Sequence, residues 1–361
     1  MSTAPIALDA SLWDEPTTGI GLYTRCLSDA LTAEGVSVEH FGARHSGAHP
    51  RGPLGSTAYT VTRLPAQLAA SRARIFHALG NFNLPLTRSP GKAYVLTVHD
   101  LIPLLLRETA STAFRWQFRI WMGHSVKVAD RIICVSETTR DDLEAAFPDA
   151  RGKTTVVHHG VDHVDPGALS EDEERFVRAL GLPETFALYA GSLDVRKNVD
   201  LVLDACERLH DRGKRITLVL VGQSWFGSSR VEARISWLRD RGLDLRSLGY
   251  QSSAIFYSLM QRASLFVFPS RYEGFGLPPL EAMRLGVPTL VSTAGALPEV
   301  CGEAAIRVAP DDPEAVAAAL VRMLGSVQER REWGERGMAW AKRYTWARCA
   351  RETAAVYASL G

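Results

Sequence analysis

"ASLFVFPSRYEGFGLPPLEAMRLGVPTLVS", Ala263 to Ser292, contains one complete supersecondary unit. "ASLFVFPS" is a short apolar run bounded by polar residues, the pattern of a strand buried on both faces. Gly274 and Gly276 permit a tight turn and close approach of another group to the backbone. Pro278 and Pro279 fit the first turn of a helix, where a missing N–H costs nothing, and Gly286 suits its C-terminal stop. "VPTLVS" is a second apolar run, so the unit reads strand, loop, helix, strand.

The same alternation extends in both directions. In the first half, "PIALDA", "VSVEHFG", "RIFHAL", "YVLTVHD", "RIICVS" and "KTTVVHH" read as strands. "GLYTRCLSDALTAEG", "AFRWQFRIWMGHSVKVAD" and "TRDDLEAAF" read as helices. "GVDHVDPGALSEDEE", residues 160–174, has the glycine, proline and acids of a linker. The alternation restarts with "FALYAGS" and runs to "AAIRVAP", and the tail from Asp312 to Leu360 is nearly all helical in pattern. Alternating strands and helices predict α/β architecture with two parallel, doubly wound sheets, joined near residues 162–172. Ligands of such sheets bind at the C-terminal ends of strands, and a cleft between two domains is the default site.

A chain of 361 residues suits two domains of ordinary size. Its 46% hydrophobic and 22% charged content are those of a water-soluble globular protein. A net charge of +1 gives nucleic-acid binding no electrostatic support. Five scattered cysteines without a C-x-x-C pair fit a reducing compartment. "MSTAPIALDA" lacks the charged-then-apolar pattern of a secretion signal, and no apolar run approaches membrane-spanning length. A cytoplasmic protein is expected, with peripheral contact at the inner face of the plasma membrane left open.

Two acids, Glu273 and Glu281, stand eight positions apart around the glycine turn. The amides of Gly276 and its neighbours would face outward at a helix N-terminus, a ready anion site. A carboxylate only accepts, and can take both donors of a vicinal diol. The stretch therefore suits a ligand with a phosphate between two diols, the layout of a nucleotide sugar. The plainer alternative is that a helix dipole favours an acid in its first turn without any ligand.

Three further loops follow strands. "TTGIGLYT" begins a dinucleotide fingerprint with Gly19-x-Gly21, but Thr24 replaces its third glycine. "TVHD" ends a strand with His99 and Asp100, where a histidine is either catalytic or merely structural. "YAGSLDVRKN" turns at Gly191 and sets Arg196 and Lys197 before a helix, a pair suited to a diphosphate or simply a solvated basic pair. "GKT" at 152–154 fails as a phosphate loop because Phe147 holds the first glycine position. "HHGVDH" offers His158, His159 and His163 in the linker, a weak metal candidate. No Asp-x-Asp pair occurs that could hold a metal against a diphosphate.

"EGFGLPPLEAMRLGVPTLVS" resembles the E-x7-E signature of retaining glycosyltransferases of family 4. "TGIGLYTRCLSDAL", "HALGNFNLP", "VLTVHDLIPL", "ADRIICVSETTRDDL", "GVD" and "YAGSLDVRKN" fall in that family's order. The resemblance implies a GT-B fold, two Rossmann-like domains facing across a cleft with a C-terminal helix crossing back. It would place an acceptor-binding domain at residues 1–165, joined by helix 345–361, and a nucleotide-sugar-binding domain at 166–344. It implies no metal and no cofactor beyond the nucleotide-sugar co-substrate, with Arg196 and Lys197 carrying the diphosphate charge. Glu273 would contact the donor sugar and Glu281 the ribose diol, while Gly274, Phe275, Gly276 and Leu277 supply amides between them. Gly191 would make the donor-side turn, Gly19 would lie near the diphosphate, and His99 near the sugar. Ser192 stands where some members carry arginine, shifting more charge onto Arg196 and Lys197. "TVHDLIPL" and "GLPPLEAM" look most like the mannosyltransferase branch, which makes GDP-mannose the expected donor and a glycan or lipid-linked molecule the expected acceptor.

A nucleotide-sugar epimerase of the same fold and a non-catalytic nucleotide-sugar binder are the alternatives. A glycosidase using Glu273 and Glu281 fits less well, because the loop between them is built for an anion. In the last helix, Trp346, Cys349, Ala350, Thr353, Ala354 and Tyr357 form a stripe that must be buried, and the resemblance places it on the first domain. In "FRWQFRIWMGHSVK", Phe114, Phe118, Trp121 and Val128 are expected to face a core. Arg115, Trp116, Arg119, Ile120 and Lys127 are left over, a set that suits a membrane surface if it is not packed inside the domain.

Overall fold

The computed structural model describes residues 4–13, 18–42, 59–81, 84–222 and 229–361. Residues 1–3 of the N-terminal reading, and Thr17, Phe82 and Asn83 of the quoted loops, lie outside these. The described residues form two compact units. One comprises residues up to Gly160 together with Tyr344–Gly361, and the other is Val161–Arg343. The sequence reading set these divisions at 165/166 and 344/345. Gly160 belongs with the first unit because it abuts the last helix, where an added Cβ would lie 2.2 Å from the Trp346 backbone nitrogen.

The first unit contains β1 (Ile6–Asp9), β2 (Val38–Phe41), β3 (Ile75–Ala78), β4 (Ala93–Val98), β5 (Arg131–Cys134) and β6 (Thr154–Val156). They form one parallel sheet in the order β2-β1-β3-β4-β5-β6. The second contains β7 (Ala187–Ala190), β8 (Thr217–Val221), β9 (Asp244–Gly249), β10 (Leu265–Phe268), β11 (Thr289–Ser292) and β12 (Ile306–Val308). Its parallel order is β12-β11-β10-β7-β8-β9. Every residue of β1, β3, β7, β8, β10 and β11 is buried, because helices cover both faces.

Helix α1 (Gly19–Ala33) packs Tyr23, Leu27 and Leu31 into one core of the first unit. The last helix, Trp346–Ala358, fills the same core with Trp346, Cys349, Ala350, Val356 and Tyr357. The expected stripe is thus buried in the first unit, with Ala354 half-buried. A buried polar string ties this helix down. His77 Nδ1 lies 2.7 Å from the Tyr357 hydroxyl, and His77 Nε2 lies 2.7 Å from Thr97 Oγ1. Thr97 Oγ1 lies 3.2 Å from the Tyr23 hydroxyl. Burial, aided by the neighbouring His99, pushes the His77 imidazole down to about 3.

Three expectations change. Helix α2 (Leu64–Ala70) was not anticipated. Helix α3 (Thr112–Val128) buries Phe118, Met122, Ser125 and Val126, so the core stripe runs through Met122 rather than Phe114, which is 44% exposed. Trp116 and Ile120 stand out from the unit at 63% and 67% exposure, with Arg119 and Lys127 also exposed. Helix α4 (Glu137–Ala146) follows β5 and is capped by Ser136. The segment read as a linker ends inside helix α5 (Glu171–Ala179), which opens with a capping box between Ser170 and Glu173. Helices α6 (Val199–Asp211), α7 (Ser229–Asp240), α8 (Ser253–Arg262) and α9 (Leu277–Arg284) cover the second sheet with Pro313–Gly325 and Val327–Ala341.

Candidate active site

In the second unit the candidate residues gather on the loops that leave the C-terminal ends of β7 and β10. Gly191 ends β7 with φ +145°, and a Cβ there would press on the Lys197 stem at 3.3 Å. The glycine therefore leaves room for that side chain to pass. Val195–Lys197 is a single 3-10 turn, capped by Asp194 Oδ1, which accepts from the Lys197 amide at 3.0 Å. Asp194 Oδ2 also accepts from the Ser192 hydroxyl at 2.5 Å. Asn198 follows in the left-handed region at φ 56°, a conformation that asparagine tolerates better than most residues. Its Nδ2 donates to Pro269 O at 3.1 Å and Pro310 O at 2.8 Å, pinning the turn to the loops after β10 and β12.

This turn points two cations at one acid. Arg196 Nη1 and Lys197 Nζ both donate to Glu273 Oε1 at 2.7 Å. Lys197 Nζ also lies 4.5 Å from the centroid of Phe268. Burial pushes the Glu273 carboxyl up, but the charges of Lys197 and Arg196 outweigh it and hold the group below the usual carboxylate range. Burial likewise pulls the Lys197 ammonium down against the pull of Glu273. Asp194 Oδ2 lies 4.0 Å from Arg196 Nη2, so two cations face two carboxylates here, and an anion can take the cations if Glu273 turns away.

The loop after Glu273 needs Gly276, and a second glycine, Gly295, where another loop meets it. Gly276 caps α9 at φ +100°, and a Cβ there would strike Leu297 at 2.6 Å. Gly295 at φ +59° lets another loop press on Glu273, where a Cβ would lie 2.7 Å from the Glu273 backbone. Pro278 and Pro279 carry no amide hydrogen, so Gly276 and Leu277, preceded by Gly274 and Phe275, offer the amides at the start of α9.

Glu281 has a different environment. It is 5% exposed, and its Oε1 accepts from His163 Nε2 at 3.1 Å and the Tyr257 hydroxyl at 3.2 Å. The two acids of the signature thus meet unlike partners, cations for Glu273 and a histidine–tyrosine pair for Glu281. Neither His163 nor Tyr257 was anticipated in this role. His163 stood in the sequence only as part of a weak metal cluster, and that cluster is dispersed. His158 packs on Tyr344, His159 stacks between Tyr23 and Trp346, and only His163 belongs to the second unit.

In the first unit, Gly19 opens α1 behind the Thr18 cap, and a Cβ there would meet nothing within 4 Å. His99 leaves β4 buried, its ring edge-on to Tyr23 at 4.9 Å. Its Nε2 lies 2.8 Å from Leu79 O, which can only accept, so Nε2 carries the proton and Nδ1 is the acceptor nitrogen. Its amide donates to Asn81 Oδ1 at 2.7 Å. Burial pushes the imidazole down to about 4, so it is neutral near pH 7. Asp100 caps the next turn through the Ile102 amide at 3.1 Å.

A cavity of about 660 Å³ lies elsewhere in the second unit, lined by Thr185, Lys214, Thr217 and Asp244. These residues sit at the N-terminal ends of β7, β8 and β9, away from the loops that hold Gly191 and Glu273. The chemistry of a doubly wound sheet belongs to the other end.

The family model "Glycosyl transferases group 1" matches residues 170–340, and "Glycosyltransferase Family 4" matches residues 17–164. The chain is 33% identical to the O-antigen chain mannosyltransferase B of Escherichia coli, across 66% of this chain and 63% of that protein. It is 43% identical to the MMP alpha-(1->4)-mannosyltransferase of Mycolicibacterium hassiacum, across 74% of this chain and 65% of that one. It spans about a third to two thirds of the length of the curated relatives it matches. The structure of Anabaena HepE in complex with UDP and glucose superposes with a TM-score of 0.74 at 18% identity, covering 99% of this chain and 100% of that one.

Proposed function

The chain belongs to the GT-B glycosyltransferases of family 4, matched over both halves, and from that membership we propose that it moves a hexose, mannose first, from a nucleotide sugar to a saccharide, glycolipid or small-molecule acceptor. The observation that carries this reading is the convergence of Arg196 and Lys197 on Glu273 beside the start of α9. A diphosphate would take over the two cations and the helix amides, and Glu273 would turn to the donor sugar. GDP-mannose is the proposed donor, supported by the two mannosyltransferase relatives.

In the reaction the bond from anomeric carbon to phosphate oxygen breaks, and its electron pair stays on the diphosphate. Arg196 and Lys197 stabilise that charge as it forms. The acceptor oxygen bonds to the anomeric carbon from the same face, and its proton passes to the departing phosphate oxygen. Glu273 would stabilise positive character on the sugar. Glu281 would receive the ribose diol.

The test is incubation with GDP-mannose, UDP-glucose as a control, and a mixture of saccharide acceptors, with and without EDTA. Transfer or slow donor hydrolysis is expected from GDP-mannose, undiminished by EDTA, because the cation pair stands where an Asp-x-Asp metal site is lacking. Loss on chelation with recovery in Mg²⁺ or Mn²⁺ overturns the metal-independent reading. Epimerised sugar identifies an epimerase, and binding without turnover identifies a carrier.

The exposed side of α3 supports a lipid-linked acceptor met at an anionic membrane surface. Trp116 and Ile120 would enter the interface while Arg119 and Lys127 meet the headgroups. Among the described residues no helix is long and apolar enough to cross a membrane. Trp116→Ala with Arg119→Glu is expected to reduce co-sedimentation with phosphatidylglycerol vesicles several-fold and to leave donor hydrolysis intact. Absence of vesicle binding by the wild type at low salt would refute this surface.

A further inference from the structure

We infer that His163 and Tyr257 are positioning residues, which fix the Glu281 carboxylate so that Oε1 is anchored and Oε2 is presented to the ribose diol. The inference rests on the reading of Glu281 as the ribose acceptor.

A glutamate in the first turns of a helix would by default turn toward its own N-terminal amides. Glu281 instead holds side chains from two other elements. His163 comes from the stretch that precedes α5, and Tyr257 from the middle of α8. Both donors meet the same oxygen, at 3.1 and 3.2 Å, and lie 3.4 Å from each other. The three polar atoms close a small triangle. Tyr257 has one hydroxyl proton, which it gives to Oε1. His163 must then present Nε2–H to the carboxylate, whether its ring is neutral or charged.

The arrangement divides the carboxylate. An ionised carboxylate offers about four acceptor positions. Oε1 is committed to the protein, and the positions on Oε2 remain for a ligand. Two hydroxyls on neighbouring ribose carbons make a donor pair for that oxygen. A carboxylate 5% exposed has little water to orient it, so its angle is set by these two partners. Removing either would let it rotate toward α9 and would cost the diol contact while leaving the diphosphate contacts in place.

The experiment measures binding of GDP, UDP and their 2′-deoxy counterparts by calorimetry. Wild type, Glu281→Ala, His163→Leu, His163→Gln and Tyr257→Phe are compared. Wild type is expected to prefer the ribose form of its better nucleotide by about tenfold, the value of one such hydrogen bond. Glu281→Ala should bind both forms alike. His163→Leu and Tyr257→Phe should lose most of the preference by weakening the ribose form alone, and His163→Gln, which keeps a donor, should restore part of it. Equal weakening of ribose and deoxyribose forms would mean a merely structural role, and unchanged binding would mean none, and either result overturns the inference. If Glu281→Ala also keeps the ribose preference, the inference fails while the donor site stands. If wild type binds no nucleotide, the glycosyl-transfer reading falls with it.

Discussion

Glu273→Gln is expected to lower turnover by about 10²–10³-fold, the scale for losing one aimed electrostatic group, while a nucleoside diphosphate binds at least as tightly as it does to the wild type. Both expectations follow from one geometry. The Glu273 oxygen holds Arg196 and Lys197, each at 2.7 Å. An incoming diphosphate must displace that carboxylate from the cations. The glutamine variant removes the competing Glu273 charge, which leaves Asp194, 4.0 Å from Arg196, to oppose the anion more weakly. The same variant should unfold more easily without ligand, since Lys197 and Arg196 lose the closer of the carboxylates around them, and breaking such a buried pair costs about 3–5 kcal/mol. GDP should recover much of that loss in a thermal melt. Turnover suffers because the charge that would face the reacting sugar is gone. Near-normal turnover, or diphosphate binding that falls in step with turnover, would remove Glu273 from the site.

The fold was legible where burial is two-sided. "LFVF" contains no polar residue and "TLVLV" only the threonine that starts it, and they became β10 and β8. Gly276 of the signature was legible because its φ of +100° admits little else. Helix α5 carries Ser170 and Glu173 at capping-box spacing, a signal masked by Pro166 and Gly167 just before it, which have linker character. On α3 the buried stripe is turned a step around the helix from the expected one, and packing in the unit rather than periodicity selects Met122 over Phe114. His163 and Tyr257 had no signal at all. Their partner lies 118 and 24 positions away, and nothing local marks a residue for a contact made by the tertiary fold.

Stability of the first unit is expected to fall as pH drops from 6.5 toward 4. The His77 and His99 imidazoles are held to about 3 and about 4 in the folded protein, against 6.5 for an ordinary histidine. The sign follows from proton uptake. Below pH 6.5 the unfolded chain binds protons on both rings while the folded chain does not, so acid favours unfolding. The stabilisation is fully present above 6.5 and is lost progressively as pH falls toward the folded values. Each unit is worth about 1.4 kcal/mol, and pH 4.5 lies two units below 6.5, so the two rings together cost on the order of 5 kcal/mol there. Urea unfolding followed by tryptophan fluorescence between pH 7 and 4.5 reads this directly. His77→Gln should be less stable at pH 7, having lost the fit to Tyr357 and Thr97, yet show a shallower dependence on pH. A flat stability profile for the wild type in this window would contradict the buried, neutral histidines.

The route of the chain through its two units has a consequence for its synthesis. The second unit is one unbroken span, Val161–Arg343, whereas the first is completed only by Tyr344–Gly361. On the ribosome, which releases the chain from its N-terminus, the earlier unit waits for the later one. Until Trp346 and Tyr357 emerge, Tyr23, Leu27 and Leu31 lack one wall of their core, and the His77 ring lacks its tyrosine. The nascent first unit therefore exposes an apolar groove throughout translation of the second. Chaperone binding and cotranslational aggregation would concentrate on that groove, and the last helix ends the exposure when it docks.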